Sequence, residues 1–337
     1  MTEPPGTGED MDTGPILEQA GIPRSRVASL EPVGGGTYNT LLRVCTTDGT
    51  RSMLKLPPRS HTAGLEYEHG LLTGEVTYYR RAAGLHGVPV PSVLHCRLHD
   101  EDGLRKHLLM SERPGSAWNT LADTMPAHER SRLRRSLGRT LARAHSVTGP
   151  GFGYPAESVA ALSPGWRTAF TAMLEAVLRD ADRYSAWLPV PHSAVRSALR
   201  SAAMALDEVE TPVLVHFDLW EGNILLQGPP GEREISGIVD GERMFWGDPL
   251  AELPSLHVTG AAEDDPDLMA GYLGATAHRL DDSARARIQL YRSYLYLIML
   301  VETVPRRTSR KETEWLRTHI GGALKAALST AARLTGS

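Results

Sequence analysis

Between two apolar runs, residues 213–226 read VLVHFDLWEGNILL, and three side chains in the middle carry chemistry: His216, Asp218 and Asn223. Asp218 follows a short apolar strand, and a four-residue turn separates it from Asn223, which opens the strand ILL. Both oxygen-bearing side chains therefore project from one loop edge. A second apolar run, ISGIVD, ends in Asp240, and Gly241 is expected to let the backbone turn sharply just after the carboxylate. Two aspartates and an asparagine at strand ends make a set of hard oxygen donors. Such a set suits Mg²⁺, which takes one or two carboxylates and leaves its other positions to phosphates and water. The order H-x-D-x-x-x-x-N, then an apolar strand ending in D-G, follows the logic of phosphoryl transfer. Asp218 orients or deprotonates an acceptor hydroxyl, while Asn223 and Asp240 hold metal on the nucleotide phosphates. His216 is assigned to support, because Asp218 is better placed to take the hydroxyl proton.

HFDLWEGNILL together with GIVDGERMFWGDPLAEL resembles the aminoglycoside phosphotransferase family, within the wider group of choline, homoserine and fructosamine kinases. The Trp220 form of the loop is similar to the fructosamine kinase branch. The resemblance runs from about residue 27 to 330, with its specific motifs at 213–253. It implies an α+β, protein-kinase-like two-lobed fold: a small N-terminal antiparallel β lobe with a helix, and a larger, mostly α-helical C-terminal lobe. It also implies ATP or GTP as donor, with Lys55 reaching the α/β-phosphates and Glu75 on the next helix pairing with it, ahead of Glu66 and Glu68. Gly34, Gly35, Gly36 and Thr37 would fold over the nucleotide, and backbone from Ser111 to Arg113 would bond the base. His145 corresponds to a structural histidine of relatives. The sequence departs from the family at several points: Phe217 replaces a glycine before the aspartate, GGGTYNT is not a full G-x-G-x-x-G, Gly241 follows Asp240 where Trp is frequent, and Glu252 stands in place of an aspartate.

For the acceptor, Trp220, Glu242 and Trp246 are candidates, since aromatic rings stack on a sugar or base-like ring. Acids crowd residues 240–267 against one base, Arg243. They read either as a solvated face or as a negative cleft wall for a cationic acceptor. The favoured function is phosphorylation of a hydroxyl on an antibiotic, for resistance or self-protection. Alternatives are a metabolite kinase acting on a fructosamine-like sugar derivative and a nucleotide-binding pseudokinase. A protein kinase is disfavoured because no A-P-E follows Asp240.

These residues need a scaffold, and the patterning supplies one. Residues 1–15 read as a disordered tail, 16–114 as a nucleotide-binding lobe and 115–337 as a catalytic and substrate-binding lobe. From Leu30 to Leu56 the pattern is strand, Gly-rich turn, strand, DGT turn, strand, a small antiparallel meander. GLEYEHGLLTGEVTYYRRAAG has helical spacing, and a strand pair joined by DEDG follows. Beyond Pro126, helical patterns dominate, interrupted by short strands at 213–240. With 337 residues and a net charge of −4, the chain affords a sizeable core but no basic field for nucleic acid. Two cysteines, Cys45 and Cys96, are too few for a disulfide framework, so a cytoplasmic location is expected. YLYLIMLV at 294–301 is too short to span a bilayer.

Overall fold

A computed structural model describes residues 13–34, 39–58, 63–100, 104–276 and 279–335. It divides into two compact units, one within Met1–His61 and Ser92–Glu112, the other within Thr62–Pro91 and Arg113–Ser337.

The smaller unit is an antiparallel sheet of β1 (Val27–Pro32), β2 (Thr40–Thr46), β3 (Arg51–Leu56), β4 (Val93–Arg97) and β5 (His107–Ser111), in the order β1-β2-β3-β5-β4. The meander and the later strand pair follow the sequence pattern. In β2, Leu42, Val44 and Thr46 alternate inward, as the period of two requires. Leu42 and Val44 meet Leu54, Leu56 and Leu109 in one apolar cluster. A helix at Gly14–Gln19 closes that cluster with Ile16 and Leu17. Gly14 and Pro15, at the end of the stretch expected to be a tail, lie in this helix. Pro15 suits the first helical turn, where its missing N–H has no partner to lose.

The helix Leu71–Ala82 belongs to the larger unit, whereas a contiguous lobe ending at 114 would have placed it with the sheet. The physical reason is close backbone packing. A Cβ at Gly74 would stand 2.6 Å from the carbonyl oxygen of Glu242, and one at Gly241 would stand 2.8 Å from the Tyr78 ring. Glycine on both sides lets the helix lie directly against the turn that follows Asp240.

The larger unit is otherwise mostly helical, with long helices at Ala127–Ala144, Trp166–Arg183, Asp282–Val301 and Arg310–Leu334. Its short strands are β6 (Ser116–Ala117), β7 (Val213–Val215), β8 (Ile224–Gln227), β9 (Glu234–Ile238) and β10 (Phe245–Gly247). They form two small antiparallel sheets, β6-β8-β9 and β7-β10. Asp282–Val301 is buried on almost every side, which explains its apolar stretch at 294–301 as core. Among the described residues, no helix is long and apolar enough to cross a membrane.

Candidate active site

The loop after β7 is held by a buried acid far along the chain. Glu252 is 1 % exposed, and its Oε2 accepts from the His216 N–H at 2.8 Å while Oε1 accepts from the Phe217 N–H at 3.0 Å. Ser255 Oγ takes the Leu219 N–H at 3.1 Å and donates to the Glu252 carbonyl. Burial pushes the Glu252 carboxyl up, but His145, His216 and these donors outweigh it and hold the group below its ordinary value. The amides of His216, Phe217 and Leu219 are therefore satisfied by side chains of one helical turn, which leaves the loop little freedom.

His216 bridges the two strand ends. Its Nε2 donates to the Val239 carbonyl at 3.0 Å, because a carbonyl can only accept, and its Nδ1 then accepts from the Asp218 N–H at 3.2 Å. That network fixes the neutral tautomer and occupies both ring nitrogens, so His216 supports the loop. His145 is likewise a brace, with Nδ1 2.9 Å from the Tyr272 hydroxyl and Nε2 3.7 Å from Glu252 Oε2.

Phe217, the departure at this loop, has φ +60°, a left-handed conformation that costs a non-glycine residue about 1–2 kcal/mol. Its ring is buried against Phe245 (centroids 5.0 Å apart) and Tyr294 (5.6 Å), and burying a Phe side chain returns about 1.5–3 kcal/mol. The aromatic core accounts for a residue that the backbone alone would not choose.

Asn223 donates its amide to the Asp218 carbonyl at 2.8 Å, which directs Oδ1 away from that bond and leaves it able to act as a ligand. Val239 N–H donates to the Asn223 carbonyl at 3.0 Å, tying the second strand end to the first. The sharp turn beyond is made by Asp240 itself, at φ +62°, and not by Gly241 as the sequence suggested. Asp is among the residues that tolerate this region, and Gly241 instead makes room for Tyr78. Asp240 N–H donates to the Tyr79 hydroxyl at 2.9 Å, which donates to Glu75 Oε1 at 2.8 Å. Glu75, Asp240 and Glu242 each offer an oxygen within 4.8 Å of the others. This hard-oxygen donor set fits Mg²⁺.

Asp218 keeps 27 % of its side-chain exposure. Desolvation is the main cause that pushes its carboxyl up to about 7, with the charges of Asp240, Glu242 and Glu302 adding to it. Arg243 opposes them, with Nε 3.8 Å from Asp218 Oδ2 and its guanidinium 3.2 Å from Glu302. A carboxylate poised near neutrality is suited to accept a proton.

The other candidates fall in different places. Gly34 is described, with open space where a Cβ would be, while Gly35, Gly36 and Thr37 lie outside the described residues. Lys55 is buried on β3 of the smaller unit. Ser111 ends β5 and exchanges bonds with Ser92, and Arg113 Nε donates to the Ser236 carbonyl at 2.8 Å, which holds that side chain against β9. Trp220 is 44 % exposed and remains available to an acceptor. Trp246 is not: it is 2 % exposed in β10 and packs where a side chain at Gly149 would stand. The acidic stretch is also largely structural. Asp248 binds Arg287 and Tyr291, Glu263 pairs with Arg292, Asp265 caps the helix Pro266–Leu273 and Asp267 pairs with Arg135. Residues that sequence reasoning left without a role are Tyr79, Arg243 and Glu302. Arg243 carried one signal, as the single base among the acids.

A family model described as the phosphotransferase enzyme family matches residues 29–291. No curated protein matches the sequence significantly. Solved structures share the fold at low identity. One, assigned as a fructosamine-3-kinase from Thermobifida fusca, has a TM-score of 0.68 at 21 % identity, covering 96 % of this chain and all of that one. The aminoglycoside phosphotransferase APH(4)-Ia, in a ternary complex with AMP-PNP and hygromycin B, has a TM-score of 0.62 at 18 % identity over 94 % of this chain and 97 % of its own. A microcompartment-associated aminopropanol kinase has a TM-score of 0.59 at 18 % identity over 94 % and 98 %.

Proposed function

The chain belongs to the phosphotransferase enzyme family, and from that premise we propose a small-molecule kinase that moves the γ-phosphoryl group of ATP or GTP to a hydroxyl of an amine-bearing antibiotic, for resistance or self-protection. The observation that carries the reading is Asp218, poised near neutrality beside a set of carboxylates on a loop anchored by Glu252. Asp218 accepts the hydroxyl proton as the acceptor oxygen attacks the γ-phosphorus and the bond to the β-bridging oxygen breaks. Asn223 and Asp240, with Glu242 beside them, would hold Mg²⁺, which would neutralise charge on the phosphate oxygens. Lys55 steadies the α/β-phosphates, with Gly34 to Thr37 over them and hinge backbone at the base. A cytoplasmic location fits such a donor.

Charge favours an amine on the acceptor. Asp218, Asp240, Glu242 and Glu302 share one locality with Arg243 and Arg306, and with Asp240 and Glu242 given to the metal, Asp218 is the carboxylate that remains to attract a cationic group of the acceptor. Trp220 offers an exposed ring beside it. A second reading, phosphorylation of a fructosamine-like sugar amine, is favoured by the match to the Thermobifida structure over its whole length. Incubation with aminoglycosides, other hydroxyl-bearing antibiotics and fructosamines, each with ATP and with GTP, decides between them through the mass of one added phosphate. Phosphorylation of sugar amines without antibiotics selects the second reading. No turnover with any acceptor leaves a nucleotide-binding pseudokinase.

The pH dependence follows from the shift. Asp218 works only when ionised, so kcat/KM for the acceptor falls as pH drops through about 7, not near the ordinary carboxylate value. Glu242→Gln removes one of the charges that raise the group and moves this limb to lower pH. A profile flat from about pH 5 to 8 would count against Asp218 as the base.

A further inference from the structure

On another part of the larger unit, a cavity of about 530 Å³ lies between the helix Ala127–Ala144, the start of β9 and the segment after the helix Leu71–Ala82. Its volume is within the range of small-molecule sites, about 300–1,000 Å³. Arg132, Arg139 and Arg143 line one side, at intervals of seven and four, so all three lie on one face of the helix. Arg132 donates to the Arg233 carbonyl and its charge also acts on the buried Glu129, while no ion pair joins Arg139 or Arg143 to a carboxylate among the described residues. Glu234 is the single acid in the lining, against three guanidinium groups. Apolar atoms of Leu85, Val88 and Ile235 supply the rest of the wall.

All three arginines are exposed, and the backbone beside Arg143 is held in place. Gly87 adopts φ +79°, a conformation that favours glycine, and any Cβ there would overlap the Arg143 guanidinium. The same glycine thus permits the turn and admits the arginine. Its carbonyl accepts from Thr140 Oγ at 3.1 Å, which pins the segment to the helix. Helical rise sets Arg139 and Arg143 about 6 Å apart along the axis and Arg132 about 10 Å further back. Flexible side chains over that span converge on two anionic groups more readily than on one.

We propose that this cavity binds a small organic anion carrying two phosphate groups, each gripped by guanidinium forks, with the carbon skeleton against the apolar wall. Its position gives binding a route to the active site. Pro89, in the same lining, accepts the Ile238 N–H at 2.7 Å, and Ile238 ends the strand that leads to Asp240. The segment also continues directly from the helix that carries Glu75. The ligand is therefore a candidate effector of the phosphotransferase site, and its binding is independent of which acceptor that site uses.

The test is calorimetric titration of the full chain with fructose 1,6-bisphosphate as probe, with AMP-PNP and Mg²⁺ present at saturation to occupy any nucleotide site. Inorganic phosphate and glucose serve as the single-anion and uncharged arms. The bisphosphate should bind at least about tenfold more tightly than inorganic phosphate, and Arg139→Ala with Arg143→Ala should weaken it by about tenfold or more, since each charged hydrogen bond carries roughly that much. Both arginines are exposed, so the double variant should keep the parent Tm and its affinity for AMP-PNP. Equal affinities for bisphosphate and phosphate, or bisphosphate binding unchanged in the double variant, overturn the proposal. So does the absence of any bisphosphate binding by the parent. A loss of turnover without these changes in binding bears on the catalytic assignment alone.

Discussion

Asp218→Asn is expected to lower kcat by about 10²–10⁴-fold, the usual contribution of a positioned general base. Its effect on stability should have the opposite sign. An acid whose folded pKa lies above its unfolded value weakens the fold once pH exceeds the unfolded value, and does so fully above the folded one. For Asp218, with its carboxyl at about 7, the penalty is complete at alkaline pH. The asparagine variant should therefore be at least as resistant to heat at alkaline pH as the parent, while retaining its affinity for nucleotide. Lost turnover with an unchanged or higher Tm identifies a group retained for chemistry at the expense of the fold. Lost turnover with a lower Tm points to a structural aspartate, and near-normal turnover ends its assignment as the base.

The second large effect belongs to Glu252. Replacing it with alanine strands the amides of His216 and Phe217 in the interior and removes the carboxylate that His145 faces. Leaving buried polar and charged groups without partners costs about 3–5 kcal/mol. Urea denaturation should show that loss as a lower midpoint with little change in slope. Glu252→Gln keeps one acceptor oxygen and should lie between the alanine variant and the parent. A shift for alanine below about 1 kcal/mol would mean that the loop is anchored elsewhere. The two variants separate cleanly: one removes chemistry and spares the fold, the other removes the support on which the chemistry stands.

The parts legible in the sequence are those whose partners lie nearby along the chain. His216, Asp218, Asn223 and Asp240 span two short strands, and period and turn composition suffice to place them at strand ends. The meander was readable for the same reason, since its turns connect consecutive strands. What escaped depends on long-range closure. Glu252 acts on amides 35 and 36 positions earlier, and nothing local tells a buried acceptor from a surface acid. Trp246 reads equally well as a platform or as core, and its fate is set by Gly149, almost a hundred positions away. The acids of 248–267 look like one patch in sequence, yet Glu252 turns to the catalytic loop while Asp248, Glu263, Asp265 and Asp267 find arginines, a tyrosine or a helix end. The helix Leu71–Ala82 lies between β3 and β4 in the chain but packs by glycine contacts with residues 241–244. Propensity sees the helix and not the surface it will meet.

Phe217 has one more consequence. A glycine in the left-handed position would leave the segment from His216 to Asn223 held by its backbone bonds alone. The aromatic ring, locked between Phe245 and Tyr294, makes the loop's conformation and the packing of the helical core a single cooperative unit. Partial opening at this point would have to extract a large apolar side chain from the interior, so the loop has no inexpensive excursion of its own. The segment that carries Asp218 therefore belongs to the high-stability end of the molecule, and adaptation to different acceptors must come from the surfaces around it.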